Sequence, residues 1–161
     1  MALAYLSVRQ YDLAINDARL RLETLPENFG LHWWLRDAYR RKGALKEAAQ
    51  EWEKAMLLSG DKKSAASIRR AFEEGGYKAV LLRQVSYLKE KSATQYVSPV
   101  DLALPYAQLD RRKETLSLLE EGYRQHSPQL LWIQNDPAYD FLHADERYRS
   151  IIRRVGLPPA Y

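Results

Sequence analysis

The strongest constraint on this chain is that it repeats itself. Tyr5, Tyr11, Ala14 and Pro26 recur, each 34 positions later, as Tyr39, Leu45, Ala48 and Gly60. A period of this length belongs to arrays of helical hairpins, in which one hairpin cannot hide its apolar side alone and stacking supplies the core. The clearest copy runs from Phe29 to Lys62. Within it Leu35 and Tyr39 are i and i+4 on one helical stripe, and Ala48, Trp52 and Ala55 are i, i+4 and i+7 on another. Alanine at two of these places lets paired helices approach closely, and a larger side chain there would cost roughly 1 to 3 kcal/mol. Gly43 suits the left-handed residue that closes a helix, after Arg40, Arg41 and Lys42 at the negative end of its dipole.

The repeat divides the chain into 1–28, 29–62, 63–95, 96–128 and a capping segment 129–161, together one domain. The first copy starts partway through its leading helix, with Ala2 and Tyr5 at the small and aromatic places. Since terminal repeats need a polar outer face that Leu3, Tyr5 and Leu6 do not provide, an upstream segment is expected. The third copy keeps the architecture without the motif. Ala65, Ile68 and Phe72 form one stripe, Gly75-Gly76 breaks it, and Tyr77, Leu81, Val85 and Leu88 form the next. The fourth opens at Ser98-Pro99-Val100-Asp101, a serine cap with proline in the first turn and an acid three residues on, and continues through Leu102, Ala103 and Tyr106 to Thr115, Leu119 and Gly122. Pro105 inside its first helix is expected to kink it. The tail reads as two helices capped by Asp136 and Asp145, the second stopped by Gly156 and Pro158.

Composition removes several classes of function. Apolar residues make up 46% of the 161 and charged residues 29%, which argues against global disorder, and no apolar run is long enough to span a bilayer. With no cysteine there is no disulfide, thiolate nucleophile or thiolate metal site. His32, His126 and His143 are too scattered for metal ligation, and Gly75-Gly76 lacks the Lys-Ser/Thr of a phosphate loop. No Gly-x-Ser-x-Gly elbow occurs, and Glu47, Glu51 and Glu53 read as a solvated face. No enzyme activity, cofactor or small-molecule substrate is therefore expected. Net charge is +4, and the basic pairs and triples Arg40-Arg41-Lys42, Arg69-Arg70, Arg111-Arg112-Lys113 and Arg153-Arg154 sit at helix ends among plentiful acids. Phosphate tracking needs a continuous basic stripe, so direct nucleic-acid binding is not expected.

Leu35, Tyr39, Ala48, Trp52 and Ala55 resemble the tetratricopeptide repeat (TPR), with departures at His32, Arg36 and Gly60. The stretch from about 63 to 159, above all Leu131-Trp132-Ile133-Gln134-Asn135-Asp136-Pro137 through Tyr148, resembles the ending of TPR regions at the carboxyl end of bacterial multidomain regulators with winged-helix, serine/threonine kinase or adenylate cyclase domains. The resemblance implies an all-α, right-handed superhelix of about four hairpins with a helical cap. It also implies a non-catalytic signalling or transcription-regulation scaffold in the cytoplasm, or in the periplasm if the host protein spans a membrane.

Positions that contact ligand in that family fall on Gly30, Trp33, Asp37, Arg40 and Arg41 in the second copy, and on Val97, Val100, Leu104, Ala107 and Gln108 in the fourth. Trp33 beside Arg40 and Arg41 offers an aromatic anchor with carboxylate-binding forks, suited to an acidic protein or peptide. Alternatively Trp33 packs on a neighbouring repeat and the arginines cap a helix. Self-association through Leu3, Tyr5 and Leu6 is a competing role, giving a homodimer.

Overall fold

Several element boundaries trace to a residue that caps a helix or cannot continue one. The structure, a computed structural model, describes residues 2–158, and side chains from residue 4 onward. Its helices are α1 (Ala2–Ser7), α2 (Tyr11–Thr24), α3 (Phe29–Lys42), α4 (Leu45–Leu58), α5 (Lys62–Ser92), α6 (Pro99–Gln108), α7 (Arg112–Arg124) and α8 (Glu146–Val155), with two 3-10 segments, Pro128–Asn135 and Pro137–Leu142, before α8. No strand occurs among the described residues. Asn28 starts α3 by accepting the Leu31 N–H at 3.0 Å, and Gly43, at φ 84°, ends it in the left-handed conformation. Asp61 opens α5 by accepting the Ser64 N–H at 2.9 Å.

The chain divides into two compact units, Met1–Arg83 and Gln84–Tyr161, where a single domain was expected. In the first, α1 packs on α2, α2 on α3 and α3 on α4. The small residues predicted at the contacts are there: Ala14, Ala18, Ala48 and Ala55 are all buried, as are Leu35 and Tyr39. Trp52, Ile68 and Val80 form a cluster joined by Phe72 and Ala71.

α5 is a hairpin and not a rod. Gly75 and Gly76 leave helical geometry, Gly76 at φ 64° and ψ −161°. The Arg83 Nε donates to Ser67 Oγ at 3.0 Å across a separation of 16 residues, which a straight helix would hold about 24 Å apart. The glycine break read from the sequence thus reverses the chain with almost no connecting loop.

Leu6 is 4% exposed, against the expectation that it stands open at the amino end. It faces the packed side of α1, as the contact of that short helix with α2 requires. Tyr5 is half-buried, and the Leu3 side chain lies outside the described residues.

In the second unit α6 packs on α7 and α7 on α8. Ser98 accepts the Val100 N–H at 3.3 Å, and Pro99 occupies the first turn. The helix runs on through Pro105, which is fully buried, and ends at Gln108. Thr115, Leu119 and Gly122 are buried on α7, and a Cβ at Gly122 would meet Val100 Cγ2 at 2.5 Å, so glycine sets the α6 to α7 spacing. Asp136 and Asp145 are both caps, accepting the Ala138 and Arg147 N–H groups at 3.0 Å. The segment that Asp136 opens is 3-10, however, where an ordinary helix was expected. Leu130, Ile133, Tyr139 and Leu142 of the two 3-10 segments pack with Tyr148, Ile151 and Ile152 of α8 to close this unit's core, and the Tyr148 hydroxyl donates to Ile133 O at 3.2 Å.

Candidate functional site

The first unit's densest chemistry lies where α3 meets α4. Trp33 and Arg36 are i and i+3 on α3, so they share a face. The Trp52 ring on α4 lies edge to face with Trp33, at 88° and 6.4 Å between centroids. The Arg36 guanidinium carbon stands 4.8 Å from the Trp33 centroid and 4.3 Å from that of Trp52, so both indoles cover a buried cation with their negative faces. Phe29 also stacks on Trp33, at 5.9 Å between centroids, and is itself 41% exposed.

One turn further, Asp37 is surrounded by arginines. Its Oδ1 accepts from Arg40 Nε at 3.0 Å and Nη2 at 2.5 Å, and its Oδ2 from Arg41 Nε at 2.9 Å. Burial pushes this carboxyl upward, but the charges of Arg40, Arg41 and Arg36 and the Arg40 hydrogen bond outweigh it and bring the pKa to about 2. Arg40 is buried, so its fork toward Asp37 is a structural pair and not an open carboxylate receptor. Arg41 is half-buried, and Gly30 lies in the first turn of α3.

His32 and Glu51 correct the reading of Glu51 as solvated. The two are buried together, His32 Nδ1 lying 2.6 Å from Glu51 Oε2 while Nε2 lies 3.2 Å from Pro26 O. Lys54 Nζ donates to the other Glu51 oxygen at 2.8 Å. The three departures from the repeat motif each have a local cause: His32 bridges α3 to α4, Arg36 fills the indole cleft, and Gly60 holds φ 82° after α4. Sequence reasoning missed Arg36 as a site residue. Its signal was a large cation where the resemblance expects a small side chain, three residues from one tryptophan.

On the second unit Val100 lies in the core, so a surface ligand would not reach it. Leu104 is partly buried against that core, Val97 is half-buried and Ala107 buried. Gln108 is half-buried, and its side-chain amide donates to Leu104 O at 3.4 Å. Lys89 Nζ stands 5.6 Å from the Tyr106 ring centroid nearby.

Among the described residues no three His, Asp or Glu side chains converge as metal ligands, and no helix is long and apolar enough to cross a membrane. His143 is half-buried and stacks on Tyr148 at 5.7 Å. Comparison with protein-family models, with curated proteins and with solved structures finds no match.

Proposed function

We propose that this chain is a helical-repeat module of TPR type that binds a protein or peptide without catalysing a reaction, as the scaffold or sensor part of a larger regulatory protein in the cytoplasm. The observation that carries it is the ledge on α3: an exposed Phe29 stacked on Trp33, backed by Trp52 and bordered by Arg36, Arg40, Arg41 and Asp37. An aromatic that stays exposed while its neighbour is locked from behind loses little freedom when a partner covers it. Closely packed alanine contacts support the repeat assignment, because they let successive hairpins stack as rigid units.

Selection of peptides by phage display against the purified chain, followed by titration of the enriched peptide, tests this. Phe29→Ala is expected to weaken that peptide at least about tenfold, roughly 1.4 kcal/mol, while helix content stays unchanged. Failure to enrich any peptide, or equal affinity for the variant, would remove the proposal.

A further inference from the structure

The repeat pattern gives no reason for a cleft between α7 and α8, yet the second unit has one of about 470 Å³. Glu120, Tyr123 and Arg124 of α7 and Arg147, Arg153 and Arg154 of α8 face it, with Glu146 and Ser150 completing the polar wall. The arginines are not equivalent. Arg147 places Nε and Nη2 on the two Glu120 oxygens, each at 2.8 Å, so a bidentate pair uses that carboxylate fully. Arg153 donates to Glu146 at 2.6 Å, and Arg124 pairs with Glu121 one residue away from the cleft.

Arg154 stands apart. Its guanidinium lies 4.0 Å from the Tyr123 ring centroid, and among the described residues no carboxylate pairs with it. Stacking fixes the plane of a guanidinium while leaving its N–H edge open for a two-oxygen acceptor. Glu120 feels the excess: the Arg147 hydrogen bond holds it below its ordinary pKa, burial opposes, and the charges of Arg147, Arg124 and Arg154 add to the lowering. Three cations therefore bear on one carboxylate whose two oxygens already belong to the first of them.

We infer that the α7 to α8 cleft binds a phosphomonoester, with Arg154, held flat by Tyr123, as its fork and Arg124 as a second cation. A phosphomonoester brings close to two negative charges and three acceptor oxygens on a compact centre, which suits a wall where Arg124, Arg147, Arg153 and Arg154 outnumber Glu120 and Glu146 better than a single carboxylate does. The Ser150 hydroxyl on the same wall supplies a neutral donor. The volume lies within the range of small-ligand sites and exceeds what a phosphate fills, so the cleft has room for the group that the phosphate esterifies.

The test follows the arginine Nε–H signals by NMR during titration with inorganic phosphate, O-phosphoserine, a phosphoserine peptide and its unphosphorylated counterpart, with chloride at matched ionic strength. Saturable shifts at Arg154 with the phosphorylated probes and not with chloride are expected. Arg154→Gln, at an exposed position, should weaken binding at least about tenfold. Tyr123→Leu should weaken it several-fold and Tyr123→Phe should restore it, as positioning of the guanidinium demands. Arg149→Gln, on α8 but outside the cleft, should leave it unchanged. Tighter binding of the phosphopeptide than of O-phosphoserine identifies a protein source, and equal binding identifies a free phosphorylated molecule; either supports the site. Equal shifts with chloride, or equal loss in the Arg154 and Arg149 variants, would overturn it. The α3 ledge lies on the other unit, so its peptide binding succeeds or fails separately.

Discussion

Asp37 is a carboxylate that the fold keeps charged. Its pKa of about 2 lies below the ordinary 3.8. Ionised Asp37 therefore stabilises the folded chain at any pH above about 4, and that contribution is lost as pH falls toward 2. The difference corresponds to about 2 kcal/mol. Asp37→Asn is expected to lower stability by about that amount at pH 7, with the gap from wild type narrowing below about pH 4. Urea melts at pH 7 and pH 3 check this, and a gap of equal size at both would show that the arginines do not depend on the charge. At this scale the sequence was legible only in part. Trp33, Asp37, Arg40 and Arg41 were brought together by the resemblance to the tetratricopeptide repeat, but Asp37 was not recognised as the partner that both arginines use. Arg36 was hidden for a different reason: its second ring, Trp52, comes from the next helix, and the distance between helices is not written in the spacing along either one. Glu51 misled in the same way, since it lies on a helix with charged neighbours and only the approach of His32 buries it.

Among the elements, boundaries set by backbone chemistry were the most readable. Gly43 and Gly156 are both left-handed caps, and Asn28, Asp136 and Asp145 all accept a backbone N–H. The tail's 3-10 character was not readable, because a cap residue announces the start of a turn and not its pitch. The Gly75-Gly76 break shows how much two residues can decide. At φ 64° and ψ −161°, Gly76 occupies backbone space that other residues essentially do not enter, whereas Gly43, at φ 84° and ψ 6°, sits where an alanine is strained but tolerated. Gly76→Ala is expected to cost of order 1 to 3 kcal/mol and more than Gly43→Ala, measured by thermal melts of both variants. Equal costs would mean that the hairpin relaxes around the substitution.

Over the whole molecule, alternation of helix and turn was predictable and the division into two units was not. A repeat period describes neighbours, and each neighbour contact looks alike in sequence whether or not a core continues past it. The buried residues of the second unit's main core run from Val100 to Ile152, with Val155 and Leu157 packed against them. A fragment of residues 96–161, which contains α6, α7, both 3-10 segments and α8, is therefore expected to fold cooperatively, though near the lower size limit for an unassisted domain. A sigmoidal melt by circular dichroism would show it, and a broad, featureless loss of signal would refute it.

The placing of the indoles has a practical outcome. Trp33, Trp34 and Trp52 all belong to the first unit, and Trp132, 55% exposed, is the sole indole of the second. Emission from a Trp132→Phe variant would then come from the amino-terminal half alone, where loss of Arg36 from between its two rings changes the field around both. The protein thus carries a native optical gauge for the separation of α3 from α4, with no dye attached.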